Sequence, residues 1–339
     1  MQSPPSNLTP ECLRRALTAG WRLRAAALDY VPAGAGSHHW KVTGEDGRPY
    51  FVTVDDLDKK NWLGDNRDAV FTGLGHALGT AAALRHEAGL EFVVAPVASL
   101  DGDLVRRLDD RYTISVFPFL TGRSYPFGSY PDASLREQAL DMVAALHQSA
   151  VPPDATVPGH VPGFGGRDDL QAFLLDPVRP WNDGPFGAVV HGLLTSRAGD
   201  LALLLAAFDR LAAATAPARA HTVITHGEPH PGNLISSRGR LLLIDWDTTA
   251  LAPPERDVAV IVAADGTGLD RYQETAGRSL DPAVLTLYRA RWYLDDVASA
   301  IRMVRHPHRD TADTRLFRDS VAPRIEQLPA WLDRLGASP

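Results

Sequence analysis

Glu228, Asn233 and Asp245 stand close together in this 339-residue chain, and their side chains could move a proton and hold a hard cation. A carboxylate can orient an attacking hydroxyl and accept its proton. An amide oxygen five residues on and a second carboxylate can hold Mg²⁺ against phosphates, the arrangement phosphoryl transfer asks for. On this reading Glu228 is the candidate catalytic base, and Asn233 and Asp245 are the candidate metal ligands.

These residues need a shaped loop and a strand end to position them. The run His226-Gly227-Glu228-Pro229-His230-Pro231-Gly232-Asn233 has two prolines that exclude a helix interior and two glycines that permit unusual backbone angles. A short β-branched strand over 222–225 leads into it. A hairpin follows, with Leu234-Ile235 and Leu241-Leu242-Leu243-Ile244 flanking the polar turn 236–240, and its second strand delivers Asp245 into Trp246-Asp247.

Two zinc readings fail. His226-x-Glu228 opens the zinc-deaminase signature, but that needs a Pro-Cys-x-x-Cys, and Cys12 is the only cysteine. His226 and His230 are four apart but not in His-Glu-x-x-His order, and the prolines forbid the helix that would align the rings. An ordinary Pro/Gly-rich loop followed by an ordinary acidic strand end is the remaining alternative.

The order from His226 to Asn233, with Asp245 after the hairpin, resembles the catalytic loop and metal motif of the protein-kinase-like superfamily. It is most similar to the small-molecule kinases that include the aminoglycoside phosphotransferases, in which a Gly follows the His. The resemblance implies that His226 supports the loop, that His230 lies near the phosphates and is a second candidate catalytic residue beside Glu228, and that Asp257 braces the loop from the next helix. It also implies an α+β, protein-kinase-like bilobal fold: a small antiparallel-sheet N-lobe over residues 1–119 and a larger, mainly helical C-lobe over 120–339. One departure is that Glu228 stands where relatives carry Asp. Its side chain reaches one methylene further, and a misplacement of about 1 Å can cost roughly 10²-fold in rate unless the loop compensates.

The N-terminal third reads as a helix over 10–19, then strands over 21–31, 38–43 and 50–54, a hairpin over 93–108, and a closing strand over 111–120. The Gly-rich turn at Gly34, Gly36 and Ser37 resembles the one that covers nucleotide phosphates, although a plain hairpin turn is the alternative. Phe117 and Phe119 fall where the resemblance places the adenine-binding hinge. A second departure sits on the third strand: Thr53 occupies the position of the phosphate-binding Lys. The helix over 68–85 lacks that lysine's partner, having no acid between Phe71 and His86. Loss of both members agrees with the cost of a buried unpaired charge, about 3–5 kcal/mol. Lys41, Lys59 or Lys60 could supply the charge instead, though Lys59-Lys60 reads first as a solvated turn.

In the remainder, Ser134-Leu135-Arg136-Glu137 reads as a capping box opening a helix that ends near His147. Residues 151–166 read as a Pro/Gly-rich loop, and Leu201, Leu204, Leu205, Phe208 and Leu211 as a core-helix stripe. Asp281-Pro282 starts a long helix with Tyr288, Trp292, Asp295 and Ser299 along one face. Aromatics beside a carboxylate can hold an ammonium group, which makes Tyr288, Trp292 and Asp295 the candidate acceptor site. The competing reading pairs Asp295 with Arg291.

Composition limits the classes. Hydrophobic content of 45% with 22% charged residues is that of a globular protein with a full core. One cysteine excludes an intrachain disulfide and suits a reducing cytoplasm, the expected location. A net charge of −7 without a basic tract gives no footprint for nucleic acid, and no apolar run reaches membrane-span length. There is no Walker A sequence. The expected function is ATP- or GTP-dependent transfer of phosphate, with Mg²⁺, to a hydroxyl of a small polar acceptor, foremost a cationic aminoglycoside or amino-sugar antibiotic. A nucleotide-binding pseudokinase is the alternative, motivated by Glu228 and Thr53. Oligomeric state is left open.

Overall fold

Pro10 opens the first helix, α1 (Pro10–Trp21), where its missing N–H removes no helix hydrogen bond, and the Thr9 side chain caps it by accepting from Cys12 N. This computed structural model describes residues 1–5, 7–34, 36–153, 155–160, 162–216 and 218–336. Ala35 in the Gly-rich turn, and Asp154 and Val161 in the loop expected over 151–166, lie outside the described residues.

Strands β1 (Ala25–Val31), β2 (Ser37–Gly44) and β3 (Pro49–Asp56) form the expected meander, followed by α2 (Arg67–His86), β4 (Arg106–Arg107) and β5 (Tyr112–Pro118). They make one sheet in the order β1-β2-β3-β5-β4, every neighbouring pair antiparallel. Side chains alternate across it. Val42, Val52, Val54, Ile114 and Val116 pack with Leu13 and Leu17 of α1, while His39, Phe51, Thr53, Asp55, Ser115 and Phe117 look the other way, into a cleft.

The chain continues through β6 (Arg123–Ser124), α3 (Ala133–Gln148), α4 (Arg167–Leu175), α5 (Gly187–Thr195), α6 (Ala198–Ala214), β7 (Val223–Thr225), β8 (Leu234–Ser237), β9 (Arg240–Leu243), β10 (Ala250–Ala252), α7 (Glu255–Ile261), α8 (Leu269–Ala276), α9 (Pro282–Arg305) and α10 (Ala312–Arg334). The predicted hairpin forms as β8 and β9, turning at Arg238 (φ 50°) and Gly239 (φ 76°), the left-handed pair a two-residue hairpin requires. The α+β class is as expected. The residues divide into two compact units. One comprises Met1–His160 and Thr222–Ser279; the other, Val161–His221 and Leu280–Pro339, is helical and packs α4, α5, α6, α9 and α10 around Leu170, Phe173, Leu204, Phe208, Leu294 and Ile301.

Several local expectations need correction. The first strand begins at Ala25, because Trp21 still belongs to α1 and left-handed Arg22 caps it through its N–H. The hairpin over 93–108 reduces to β4. Pro96 interrupts its first half, and Val94 N and Val97 N instead make single bonds to Leu243 O and Val116 O. Helix α3 is capped by Asp132, whose carboxylate accepts from Leu135 N (2.8 Å), which leaves Ser134 inside the helix. Lys60 is not in a solvated turn: it is 2% exposed, in an ion pair with Asp247 and 3.1 Å from Asp55.

Candidate active site

The loop after β7 is held from beneath. Asp257, near the start of α7, accepts from His226 N (2.8 Å), Gly227 N (2.6 Å) and His147 Nε2 (3.1 Å), and Tyr272 Oη lies 2.7 Å from His147 Nδ1. Burial opposes the Asp257 charge most strongly, yet the His147 hydrogen bond and the charges of His147, Arg256 and His226 together outweigh it, and the carboxyl titrates below its ordinary value. Gly227 has φ +98°, and a Cβ there would lie 2.3 Å from the Arg256 guanidinium. Arg256 is committed to Thr225 Oγ1 and Thr248 O. A glycine after His226 is therefore required both by backbone conformation and by space.

His226 joins the loop to the acidic strand end. Its Nδ1 accepts from Glu228 N (3.2 Å), which leaves Nε2–H to donate to Ile244 O (2.9 Å). The ring packs edge-on to buried Trp246, and burial lowers its pKa to about 4, keeping it neutral. Pro231 opens a short 3-10 turn, Pro231–Asn233, and Tyr130 Oη donates to Pro229 O, so both prolines take part in shaping the loop.

Asn233 Nδ2 donates to Glu228 O (2.9 Å), so the amide's donor group is engaged by the loop and its oxygen is the atom type suited to a hard cation. Ile244 N donates to Asn233 O (3.0 Å), and Asp245 follows directly. Asp245 adopts φ +66°, uncommon for a residue with a Cβ, and both Asn233 and Asp245 line the cleft. Desolvation by the surrounding walls, and then the neighbouring Asp247 carboxylate, raise the Asp245 pKa well above the ordinary range, with Lys60 opposing. Among the described residues no group of three or more His, Cys, Asp and Glu side chains is placed to hold a metal. One amide and one carboxylate fit Mg²⁺, which commonly takes one or two protein ligands and fills the rest with phosphates and water.

The cleft, of about 340 Å³, brings Gly34, Thr53, Phe117 and Phe119 together with Asn233 and Asp245. Gly36 instead covers Lys60, and Ser37 Oγ donates to Asp55 Oδ1 (2.5 Å). Where a kinase-like helix would present an acid, α2 presents Leu74 and Leu78. The Glu228 side chain is partly open, with Oε2 4.0 Å from His230 Nε2. Phe127, an exposed aromatic, packs edge-on to His230, whose pKa burial lowers to about 4.

The candidate acceptor residues lie on α9 of the helical unit. Tyr288 is buried together with Val284, Leu285 and Leu287, so it does not share the accessible face expected for it; Trp292 and Asp295 are half-buried. Arg291 gives its Nε–H to Gly163 O (2.6 Å), and burial raises the Asp295 pKa despite Arg291 nearby. Sequence reasoning missed Asp55, Asp247 and the burial of Lys60. Only the spacing Asp245-x-Asp247 hinted at them, because Lys60 and Asp247 meet across most of the chain.

Comparison with known proteins agrees with this geometry. The profile of the phosphotransferase enzyme family matches residues 29–293. Protein StrN of Streptomyces griseus is 31% identical over 266 residues, covering 74% of this chain and 76% of StrN. Among solved structures, a spectinomycin phosphotransferase in complex with ADP and spectinomycin shares the fold with a TM-score of 0.72 at 17% identity, over 95% of this chain and 98% of that one. A microcompartment-associated aminopropanol kinase superposes with a TM-score of 0.60 at 17% identity, over 97% and 99% of the two chains. With the braced loop, the Asn233–Asp245 pair and the sheet-lined cleft in the order this fold requires, the chain belongs to the phosphotransferase enzyme family, kinases that act on hydroxyl groups of small molecules.

Proposed function

We propose that this protein transfers the γ-phosphoryl group of ATP or GTP to a hydroxyl of a small, cationic, polar molecule, foremost an aminoglycoside or amino-sugar antibiotic. The observation that carries the reading is the hydrogen bond from Asn233 Nδ2 to Glu228 O, which sets the candidate base and a candidate metal ligand on one rigid loop. Glu228 orients the acceptor hydroxyl and takes its proton, and His230 stays neutral beside it. Asn233 and Asp245 would hold Mg²⁺, which when bound neutralises phosphate charge as it develops. Phe117 and Phe119 border the base end of the nucleotide, with residues 1–119 as its covering lobe.

Support for a cationic acceptor comes from the net charge of −7, from Trp292 beside Asp295 on α9, and from fold relatives that include kinases for spectinomycin, amicoumacin and aminopropanol. The single cysteine is compatible with the cytoplasmic location that belongs to this proposal. The test is purified protein offered ATP and GTP with a panel of aminoglycosides, other amino-sugars and simple amino-alcohols, with Asp245→Asn as the paired control. Phosphate transfer to an amine-bearing acceptor that Asp245→Asn abolishes supports the reading. Mg²⁺-nucleotide binding without transfer to any acceptor would favour a pseudokinase.

A further inference from the structure

The cleft poses an electrostatic problem. Asp55, Asp245 and Asp247 line it, and among the described lining residues there is no Lys or Arg, although a nucleoside triphosphate brings several negative charges. Thr53 occupies the strand position of a phosphate lysine, and Leu74 and Leu78 face the cleft where that lysine's acidic partner would be. The cation paired with two of these acids is outside the lining. Lys60, beyond the end of β3, buries its ammonium against Asp247 and 3.1 Å from Asp55 Oδ1.

Its contacts run across the site. Ser37, at the end of the Gly-rich turn, donates to the Asp55 oxygen that faces Lys60. A Cβ on Gly36 would be 3.8 Å from Nζ, so Gly36 lies against the ammonium, and the Trp62 ring lies 5.3 Å away. The path Ser37, Asp55, Lys60, Asp247 therefore ties the turn to a residue two positions from Asp245. Burial alone would depress the ammonium, but Asp247, Asp55 and Asp245 outweigh it and keep Lys60 protonated.

We propose that Lys60 is a positioning residue for metal–nucleotide binding: by bridging Asp55 and Asp247 it holds the Gly-rich turn and the Asp245 ligand at one separation, in place of the absent strand lysine and helix acid. The inference rests on the phosphotransferase reading above. Lys60 itself is covered, so the charge of the phosphates falls to the divalent cation, and the placement of Asp245 falls to Lys60. Partners that orient a metal ligand typically change metal affinity by roughly 10–100-fold when removed.

The experiment measures ADP affinity by calorimetry, with Mg²⁺ and with EDTA, together with thermal stability of the ligand-free protein. Lys60→Met should weaken Mg²⁺-ADP binding by about tenfold or more while metal-free ADP binding holds. Because Lys60→Met strands buried carboxylates and can unfold the chain, the second comparison is Lys60→Met/Asp247→Asn against Asp247→Asn alone, in which the amide still offers Lys60 an oxygen. The same loss of the metal-dependent part of affinity in the folded double variant supports the proposal. Equal metal dependence in that pair, with only stability changed, makes Lys60 a structural ion-pair member and overturns it. A parent protein that binds ADP no better with Mg²⁺ than without refutes the phosphotransferase reading itself, and this inference with it.

Discussion

The backbone N–H of Glu228 donates to Nδ1 of His226, 3.2 Å away, while the other nitrogen of the same ring reaches Ile244 O, one residue before Asp245. One buried imidazole thus fixes the candidate base and the candidate metal ligand relative to each other. It can do so only in the neutral form, because a proton on Nδ1 would face the Glu228 N–H.

Glu228→Gln keeps the shape of the side chain and loses the base. Nucleotide affinity should hold while transfer falls by the ~10²–10⁴ typical of general acid–base groups. Glu228→Asp should also be slow, by about 10²-fold, because the loop is set for the longer reach. Single-turnover transfer rates check both, and a Gln variant as fast as the parent removes Glu228 from the role.

Protonation of the buried histidines should limit acid stability. His39, His226 and His230 each have their pKa lowered by burial from 6.5 to about 4. Between those values the unfolded chain binds more protons than the folded one, so stability rises with pH. Their contribution is complete above 6.5 and is withdrawn as pH falls towards 4. Thermal unfolding at about pH 7.5 and about pH 4.5 should show a lower Tm in acid, and His226→Asn should narrow the difference while lowering Tm at neutral pH. A Tm that does not change with pH contradicts this account.

Gly227→Ala places a Cβ at φ +98° and against the Arg256 guanidinium. The backbone term alone is about 1–3 kcal/mol, and displacing Arg256 also disturbs Thr225 and Thr248. Urea unfolding should show a loss of at least that size. Unchanged stability would mean that the loop relaxes freely.

Trp292→Ala and Asp295→Asn should raise KM for a cationic acceptor and leave nucleotide affinity alone, as expected for binding that is equal in ground and transition states. Burial raises the Asp295 carboxyl, so acceptor binding by the parent should weaken as pH falls and its negative charge is lost. Acceptor kinetics unaffected by either substitution would assign this face of α9 to packing.

Local chemistry by itself determined the β7–loop–hairpin unit, because prolines, glycines and β-branched runs act within a few residues. It also determined the order Glu228, Asn233, Asp245 and the starts of α1 and α9, while the α+β class was implied by the family resemblance. Only the tertiary structure decided the rest. Pro96 could have stood beside an edge strand, and its segment instead lent single hydrogen bonds to β5 and β9. Tyr288 read as part of an open stripe, but packing around the first half of α9 covers it. Lys60 read as solvated because lysine normally is, and no local signal tells a chain that a residue 187 positions away will supply a buried carboxylate. A charge is buried only where opposite charges converge from several elements, and that convergence exists only after the strands and the loop have come together.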